Sequence, residues 1–237
     1  MAKFLIIKPG QKVSCLSAQG DFEHWIASCI NHTEFDFDTW HPHRDEPAPD
    51  INQYAGIIMT GSGAMVTEQA PWMLNLRDYL APYMAARKPI LGICFGHQFL
   101  AWMLGATVDF RPQGREVGTY PVSLLHHSQV DALFADLPVE FAAHLTHQQS
   151  VLATCEGMRV LAQTPAEAVA AFCFADHCWG VQFHPEFTPP IMSHYLNYQA
   201  PHMSVDANEL EQMHSAICET RDAAEVLRRF VSIVKGL

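Results

Sequence analysis

A cysteine lies where an apolar, β-prone segment changes into a helical pattern. In α/β proteins, ligands and reactive groups lie at such strand–helix junctions, at the carboxyl ends of the strands. Residues 89–98 (PILGICFGHQ) pass through a Gly-x-Cys-x-Gly turn at Cys94, which is a nucleophile-elbow arrangement. Gly92 and Gly96 allow the backbone to turn tightly, and the N–H groups at the start of the following helix favour a thiolate. We therefore predict that Cys94 is a nucleophile.

A histidine and a glutamate follow a second apolar segment, residues 179–183, in the order His184, Pro185, Glu186. Pro185 stiffens the turn and stops a regular strand from continuing. A thiol that expels ammonia or an amine needs an acid and base beside it, commonly an imidazole oriented by a carboxylate. The sequence therefore predicts a catalytic triad of Cys94, His184 and Glu186.

The elements that position these residues alternate between β-prone and helical patterns, which is typical of a parallel sheet with crossover helices. Strands are predicted at residues 4–7, 35–40, 56–60, 89–93, 118–124, 141–145, 168–174 and 179–183. Helices are predicted at 21–30, from Pro71 with a kink or end at Pro82, from Cys94 to a left-handed cap at Gly105, and around 209–217 and 222–234. The predicted fold class is α/β, a doubly wound and mostly parallel sheet flanked by helices, in one domain over residues 1–237.

The composition excludes several classes of partner. The 237 residues carry 25 acidic and 14 basic side chains, a net charge of −11, which disfavours nucleic acid and anionic membrane surfaces. Apolar stretches are too interrupted for a membrane span, and the segment at 4–7 is too short for a signal peptide. Seven cysteines without a Cys-x-x-Cys pair indicate reduced thiols and a cytoplasmic location.

Together, the run around Cys94 and the Gln-Phe-His-Pro-Glu run at 182–186 closely resemble the class I glutamine amidotransferases. Within that family the chain is most similar to the glutaminase domain of GMP synthetase and its stand-alone relatives. The resemblance covers about residues 4–190, with 191–237 as a C-terminal helical extension. It implies a flavodoxin-like, three-layer fold. We expect the C-terminal helices, which lie beyond the resemblance, to pack back on the sheet.

The resemblance also implies a reaction. Cys94 would attack the side-chain carboxamide of glutamine, form a γ-glutamyl thioester and release ammonia, after which water hydrolyses the thioester. His184 would accept the thiol proton, protonate the leaving nitrogen and activate the water, while Glu186 orients the imidazole.

An oxyanion hole is implied as well, formed by the backbone N–H groups of Ser62 and Phe95. Gly61 of the same turn would line the substrate site. This turn departs from the family, which often has Gly-Gly-Pro where the chain has Gly61, Ser62 and Gly63.

Three further residues are implied to bind substrate. Gln98 belongs to the family's Cys-x-Gly-x-Gln pattern, and His147 and Gln148 align with a segment that usually reads His-Gly and holds the backbone end of glutamine. Gln148 in place of the glycine leaves the identity of the amide substrate open.

Metal and cofactor sites are not predicted. The histidine pairs lack zinc-ligand spacing and are interpreted as solvated loop residues: His41/His43, His126/His127 and His144/His147. Cys173 and Cys178, with His177, are interpreted as core and loop residues astride a hairpin turn. Glu68 and Glu116 are interpreted as solvated loop residues. No phosphate-binding glycine loop is present, so no nucleotide is expected.

Three functions remain open from the sequence. One is a glutaminase subunit that passes ammonia to a separate synthetase. Another is a stand-alone hydrolase of γ-glutamyl peptides or amides. The third is a non-catalytic ligand-binding relative that keeps the fold but not the chemistry.

Overall fold

A computed structural model describes residues 2–16, 20–30, 36–44 and 46–236. The strands in these ranges are β1 (Lys3–Ile7), β2 (Asp36–Trp40), β3 (Gly56–Met59), β4 (Ile90–Ile93), β5 (Thr107–Phe110), β6 (Glu116–Leu124), β7 (Glu140–His147), β8 (Gln149–Ala153), β9 (Met158–Gln163), β10 (Ala171–Phe174) and β11 (Cys178–Val181). The helices are α1 (Phe22–Cys29), α2 (Pro71–Ala85), α3 (Phe95–Met103), α4 (Pro189–Gln199), α5 (Ala207–Ser215) and α6 (Arg221–Gly236).

Nine of the described strands form one sheet in the order β2-β1-β3-β4-β11-β10-β9-β6-β7. The first five run parallel, and the remaining four pair antiparallel with their neighbours. β5 and β8 form a separate antiparallel pair. The hairpin turn between β10 and β11 was predicted, but the antiparallel pairing of the strands beyond β10 was not. Three residues join β10 to β11, whereas a parallel crossover needs about a dozen.

Helices cover both faces of the sheet, which confirms the predicted α/β architecture. The central strands β3 and β4 are buried along their whole length, as expected for strands with helices on either side. Ile26 of α1 and Phe230 of α6 belong to the core on one face. Leu76 of α2 and Phe99 of α3 belong to the core on the other face.

Most predicted elements are present, with shifted ends. Helix α2 begins at Pro71 as predicted, but it does not end at Pro82 and instead continues to Ala85. A proline so near the end removes one internal hydrogen bond, and the buried side chain of Tyr83 still anchors the last turn. Gly105 after α3 has a φ of +95°, the left-handed conformation predicted for it.

Several elements were missed. Strands β5, β8 and β9 and helix α4 have no counterpart in the sequence prediction. Residue 35, at the start of a predicted strand, lies outside the described residues. The helices that the structure describes include none with the length and apolar character needed to cross a membrane. That residues 1–237 form one domain stays a prediction.

Candidate active site

Cys94 is the single residue between β4 and α3, on the strand–turn–helix elbow that the sequence predicts. Its backbone has a φ of 51° and a ψ of −101°, a left-handed conformation that costs a non-glycine residue about 1–3 kcal/mol. Gly92 and Gly96 are required because other backbone atoms lie too close to leave room for a side chain at either position. A Cβ on Gly92 would lie 2.4 Å from the carbonyl of Gly96, and one on Gly96 would lie 2.5 Å from the carbonyl oxygen of Met59.

The second pair of predicted residues follows the neighbouring parallel strand, β11. Ile93 pairs with Val181, and the Cys94 N–H donates to the Val181 carbonyl at 2.8 Å, so the ends of β4 and β11 lie side by side. Three residues beyond Val181, the chain reaches the imidazole of His184. Its Nδ1 lies 2.8 Å from Oε1 of Glu186, and both side chains are buried.

The surroundings of His184 favour its charged form. Burial alone lowers its pKa, but the charge of Glu186 and the adjacent Cys94 outweigh burial and raise the pKa to about 10. The ring of Phe187 stacks on the imidazole with centroids 4.0 Å apart, an arrangement that also favours an imidazolium. The Sγ atom of Cys94 lies 3.6 Å from the carbonyl oxygen of Thr146.

The turn after β3 approaches the same imidazole. A Cβ on Gly61 would lie 3.0 Å from Cε1 of His184, so a side chain there would press on the ring. Ser62 directs its hydroxyl elsewhere, donating to the Pro9 carbonyl at 3.3 Å and accepting from the Ala64 N–H at 3.1 Å. Only the backbone of Ser62 is therefore available for the predicted oxyanion contact.

Phe95 is the first residue of α3, where backbone N–H groups have no partner within the helix. Its side chain packs away from Cys94, against Trp72 and Phe99, with ring centroids 5.9 Å apart in each pair. Its backbone can therefore serve the predicted oxyanion contact while its ring stays in the core.

A cleft of about 480 Å³ opens over these groups. Six of the nine predicted site residues line it, namely Cys94, His184, Ser62, Gln98, His147 and Gln148. Glu186 lies behind the imidazole with 1% of its surface exposed. The arrangement combines a thiol, a charged imidazole and a turn of backbone N–H groups at one end of a ligand-sized cleft.

The family model described as "Glutamine amidotransferase class-I" matches residues 16–199. The chain belongs to the class I glutamine amidotransferase family. Members of this family are enzymes.

The chain is similar to two kinds of curated relative. γ-Glutamyl peptidase 3 of Arabidopsis thaliana is 27% identical over 146 residues, which are 60% of this chain and 59% of that protein. One subunit of the glutamine-hydrolyzing GMP synthase of Saccharolobus solfataricus is 27% identical over 176 residues, 74% of this chain and 89% of that protein. The chain therefore spans about three-fifths of the peptidase's length.

Solved structures share the fold. A crystal structure of a glutamine amidotransferase from Methylobacillus flagellatus superposes with a TM-score of 0.77 at 22% identity, over 100% of this chain and 96% of that chain. The predicted membership in the amidotransferase family and the predicted fold class are thus both confirmed.

Beside the amidotransferase elbow lies a buried charge network that was not predicted from the sequence. Glu116 and His147 were interpreted as solvated loop residues, but both are buried, with His147 Nε2 2.8 Å from Glu116 Oε2. Their strands β6 and β7 pair with each other, which brings the two side chains together. Arg111 lies 3.3 Å from Glu116 and 3.7 Å from Glu167, whose carboxylate also accepts from Ser150.

This network is also the place where a metal could be considered. Glu116, His147 and Glu167 present ligand atoms within 4.8 Å of one another. The Arg111 guanidinium already lies within ion-pair distance of both carboxylates and would repel a cation. We therefore interpret the cluster as an ion-pair network that holds the end of β7 in place.

His144, Cys173 and Cys178 lie outside the elbow, and the sequence interpretation was wrong for the first and right for the other two. His144, also interpreted as solvated, is fully buried in β7, and its Nδ1 lies 2.9 Å from the Thr119 hydroxyl. Burial, with the charge of His184, lowers the pKa of His144 to about 4. Cys173 and Cys178 flank the β10–β11 hairpin turn, as predicted.

Two predicted substrate-binding side chains, those of Gln98 and Gln148, form hydrogen bonds with other residues of the protein. Both N–H donors of the Gln98 amide are committed, to the Gln149 carbonyl at 2.6 Å and to Gln182 Oε1 at 3.0 Å, which leaves its carbonyl oxygen for a ligand. Oε1 of Gln148 accepts from Nη2 of Arg115 at 2.6 Å. The residue that departs from the family's glycine therefore holds an arginine.

One wall of the cleft was not predicted from the sequence. That wall comes from helix α4 and the residues next to it, and it adds Tyr195, Tyr198, Gln199 and His202 to the lining. The buried Ile191, Met192, Tyr195 and Leu196 follow helical spacing after a proline pair, a signal that could have predicted the helix. Arg115 lies outside the motifs identified in the sequence.

Proposed function

We propose that the chain hydrolyses a γ-glutamyl amide bond through a thioester on Cys94. One observation carries the proposal: a cysteine in a strained elbow conformation lies beside a buried imidazole–carboxylate pair on the next parallel strand. This geometry supplies a nucleophile, a proton carrier and an orienting charge in one place.

The chemistry begins with the Cys94 thiolate, which adds to the γ-carbonyl carbon of the substrate. The N–H groups of Ser62 and Phe95 stabilise the negative charge that develops on the carbonyl oxygen. The imidazolium of His184 gives its proton to the amide nitrogen, the C–N bond breaks, and ammonia or an amine leaves. A thioester to Cys94 remains.

Water completes the cycle. His184, now neutral, accepts a proton from water, whose oxygen adds to the thioester carbonyl. The C–S bond breaks, the thiolate is regenerated and the γ-carboxylate of glutamate is released. Throughout, Glu186 acts as a positioning residue, because its carboxylate holds Nδ1 and keeps Nε2 as the working nitrogen.

Glutamine is the first substrate that we propose, with the ammonia passed to a separate synthetase. The relative from S. solfataricus is named as one subunit of a GMP synthase, which supports a partner of this kind. In that case we expect slow hydrolysis by the chain alone and faster hydrolysis once the partner is present.

A stand-alone γ-glutamyl peptide or amide hydrolase is the second candidate. The cleft volume of about 480 Å³ lies within the range of about 300–1,000 Å³ that holds drug-sized ligands, which gives room for a substrate larger than glutamine. The similarity to a γ-glutamyl peptidase supports the same view. In that case we expect full activity without a partner.

The test is product release by the purified chain with glutamine and with a panel of γ-glutamyl amides and peptides. We expect Cys94→Ala to abolish turnover while the thermal unfolding temperature stays close to that of the wild type. Wild-type turnover in Cys94→Ala would refute the mechanism. A folded wild-type chain that turns over none of these substrates and resists Cys94 alkylation at neutral pH would support the non-catalytic, ligand-binding alternative.

A further inference from the structure

The cleft has an unusual charge for this protein. The chain carries 25 acidic side chains and a net charge of −11, yet the described residues that line the cleft include no aspartate or glutamate. They do include two cations, Lys12 and Arg115. A positive cleft on an acidic protein favours an anionic ligand.

Arg115 is the cation of this lining that combines an uncompensated charge with a buried donor that has no partner among the described residues. No described carboxylate lies within ion-pair distance of it, in contrast with Arg111 nearby, which pairs with both Glu116 and Glu167. Its Nε is buried and has no hydrogen-bond partner among the described residues. A partly buried guanidinium without an acid is costly, which indicates that a ligand supplies the missing charge.

The arginine is nevertheless held in a defined position. Gln148, at the turn between β7 and β8, accepts from Nη2 at 2.6 Å and so fixes one side of the guanidinium. A guanidinium has five N–H donors in a rigid fork that matches a carboxylate, and the Gln148 bond occupies one of them. The remaining donors can form a paired contact with two carboxylate oxygens.

We propose that Arg115, positioned by Gln148, is a specificity-determining residue that binds a carboxylate of the substrate. The inference rests on the proposed hydrolysis at Cys94, because it concerns the ligand of the same cleft. The carboxylate has two sources: the α-carboxylate of the γ-glutamyl unit, or a carboxylate on the amine that leaves. Gln148 would explain how the cleft selects its substrate where relatives have a glycine.

The experiment compares wild type, Arg115→Ala, Arg115→Lys and Gln148→Gly on four substrates. These are L-glutamine, L-glutamine α-amide, γ-glutamyl-methylamide and γ-glutamyl-alanine. We expect Arg115→Ala to raise KM about 10- to 100-fold on substrates with the relevant carboxylate, with kcat within about threefold of wild type. Arg115→Lys restores part of the loss, and Gln148→Gly raises KM by a smaller factor.

The pattern across substrates identifies the source. An effect on glutamine that vanishes with the α-amide assigns the α-carboxylate. An effect on γ-glutamyl-alanine that is absent with glutamine and with the methylamide assigns a carboxylate beyond the scissile bond. Arg77→Ala is the matched control, because this exposed arginine on α2 does not line the cleft. Unchanged KM values in Arg115→Ala on all four substrates would overturn the inference.

A binding measurement separates this inference from the proposed reaction. Calorimetric titration of glutamine and γ-glutamyl-alanine into Cys94→Ser, with and without Arg115→Ala, needs no turnover. If wild type hydrolyses none of the four substrates while the affinity of Cys94→Ser depends on Arg115, the proposed reaction is refuted and the carboxylate site is supported. Affinity that is unchanged by Arg115→Ala, or no binding of either compound to Cys94→Ser, would overturn the inference. Thermal unfolding of each variant checks that the fold is intact.

Discussion

Replacing Glu186 with glutamine tests the electrostatic part of the mechanism. The change keeps the size of the side chain but removes the negative charge 2.8 Å from His184 Nδ1. The glutamine amide can donate to Nδ1, which places the imidazole proton on Nε2. That tautomer cannot accept a proton from Cys94 or from water.

The expected size of the effect follows from the burial of the pair. The side chains of His184 and Glu186 are 3% and 0% exposed, so water cannot reach the imidazolium to stabilise it once the carboxylate is removed. Losing a hydrogen bond to a charged group costs about 1.5–3 kcal/mol, which corresponds to a decrease in kcat of roughly 10- to 150-fold.

The pH dependence gives a second readout. Glu186 is the largest influence that raises the pKa of His184 to about 10, against the effect of burial, so Glu186→Gln lowers this pKa. Because the imidazolium favours the neighbouring thiolate, the rate of Cys94 alkylation by iodoacetamide at pH 7 falls in the variant. Mass spectrometry of the peptide that contains Cys94 measures that rate against pH.

The raised pKa of His184 also makes the free energy of unfolding depend on pH. The pKa of His184 is raised in the folded chain, so its contribution is complete below about pH 6.5 and is lost as the pH rises towards 10. The difference in unfolding free energy between wild type and Glu186→Gln should therefore shrink over that interval.

The matched control is Glu140→Gln, at an exposed position at the start of β7. We expect it to leave kcat and the alkylation profile unchanged. Wild-type kcat together with a wild-type alkylation profile in Glu186→Gln would show that the carboxylate does not set the charge of His184, and the reasoning would be wrong.

Two further predictions concern the frame around the site. Gly92→Ala places a Cβ 2.4 Å from the Gly96 carbonyl, so we expect a loss of at least about 1–3 kcal/mol in urea unfolding, whereas Gly63→Ala, with no atom within 4 Å of its Cβ, stays close to wild type. An equal effect of the two changes would contradict this explanation. His144 has a pKa lowered to about 4, so it stabilises the fold above about pH 6.5, and this contribution is lost as the pH falls towards 4. We expect wild type to lose about 3 kcal/mol more than His144→Asn between pH 7 and pH 4 in the same assay, and parallel losses would count against the buried neutral histidine.

The elbow and the histidine loop could be predicted because their information is local. A glycine on each side of Cys94 is needed by contacts within the turn and with β3, and the apolar segments on either side mark a strand and a helix. The pairing of β4 with β11 is not local. The family resemblance supplied that step, since the two segments lie about ninety residues apart.

Antiparallel strands were harder to predict because their patterns are mixed. β9 has buried and exposed residues in an irregular order, and β5 is mostly exposed. Periodicity needs a clean alternation to indicate a half-buried strand. The strand conformation of β5 and β9 is therefore determined by the strands they pair with rather than by their own sequence patterns.

The charges of the cleft show where single-residue reasoning stops. In the sequence, Glu116 and Arg115 are adjacent charged residues with nothing to distinguish them, and a solvated loop is the ordinary interpretation. In the fold, β6 begins at Glu116 and directs it to His147 and Arg111, while Arg115 contacts Gln148 and lines the cleft. One residue is thus neutralised inside the protein, and its neighbour faces the ligand space without an acid. Their different environments arise because Glu116 is the first residue of β6, whereas Arg115 precedes the strand. The pairing of β6 with β7 determines which neighbours each side chain meets. A substrate preference built on Arg115 is therefore a property of the fold, whereas a nucleophile at Cys94 is already predicted by ten consecutive residues.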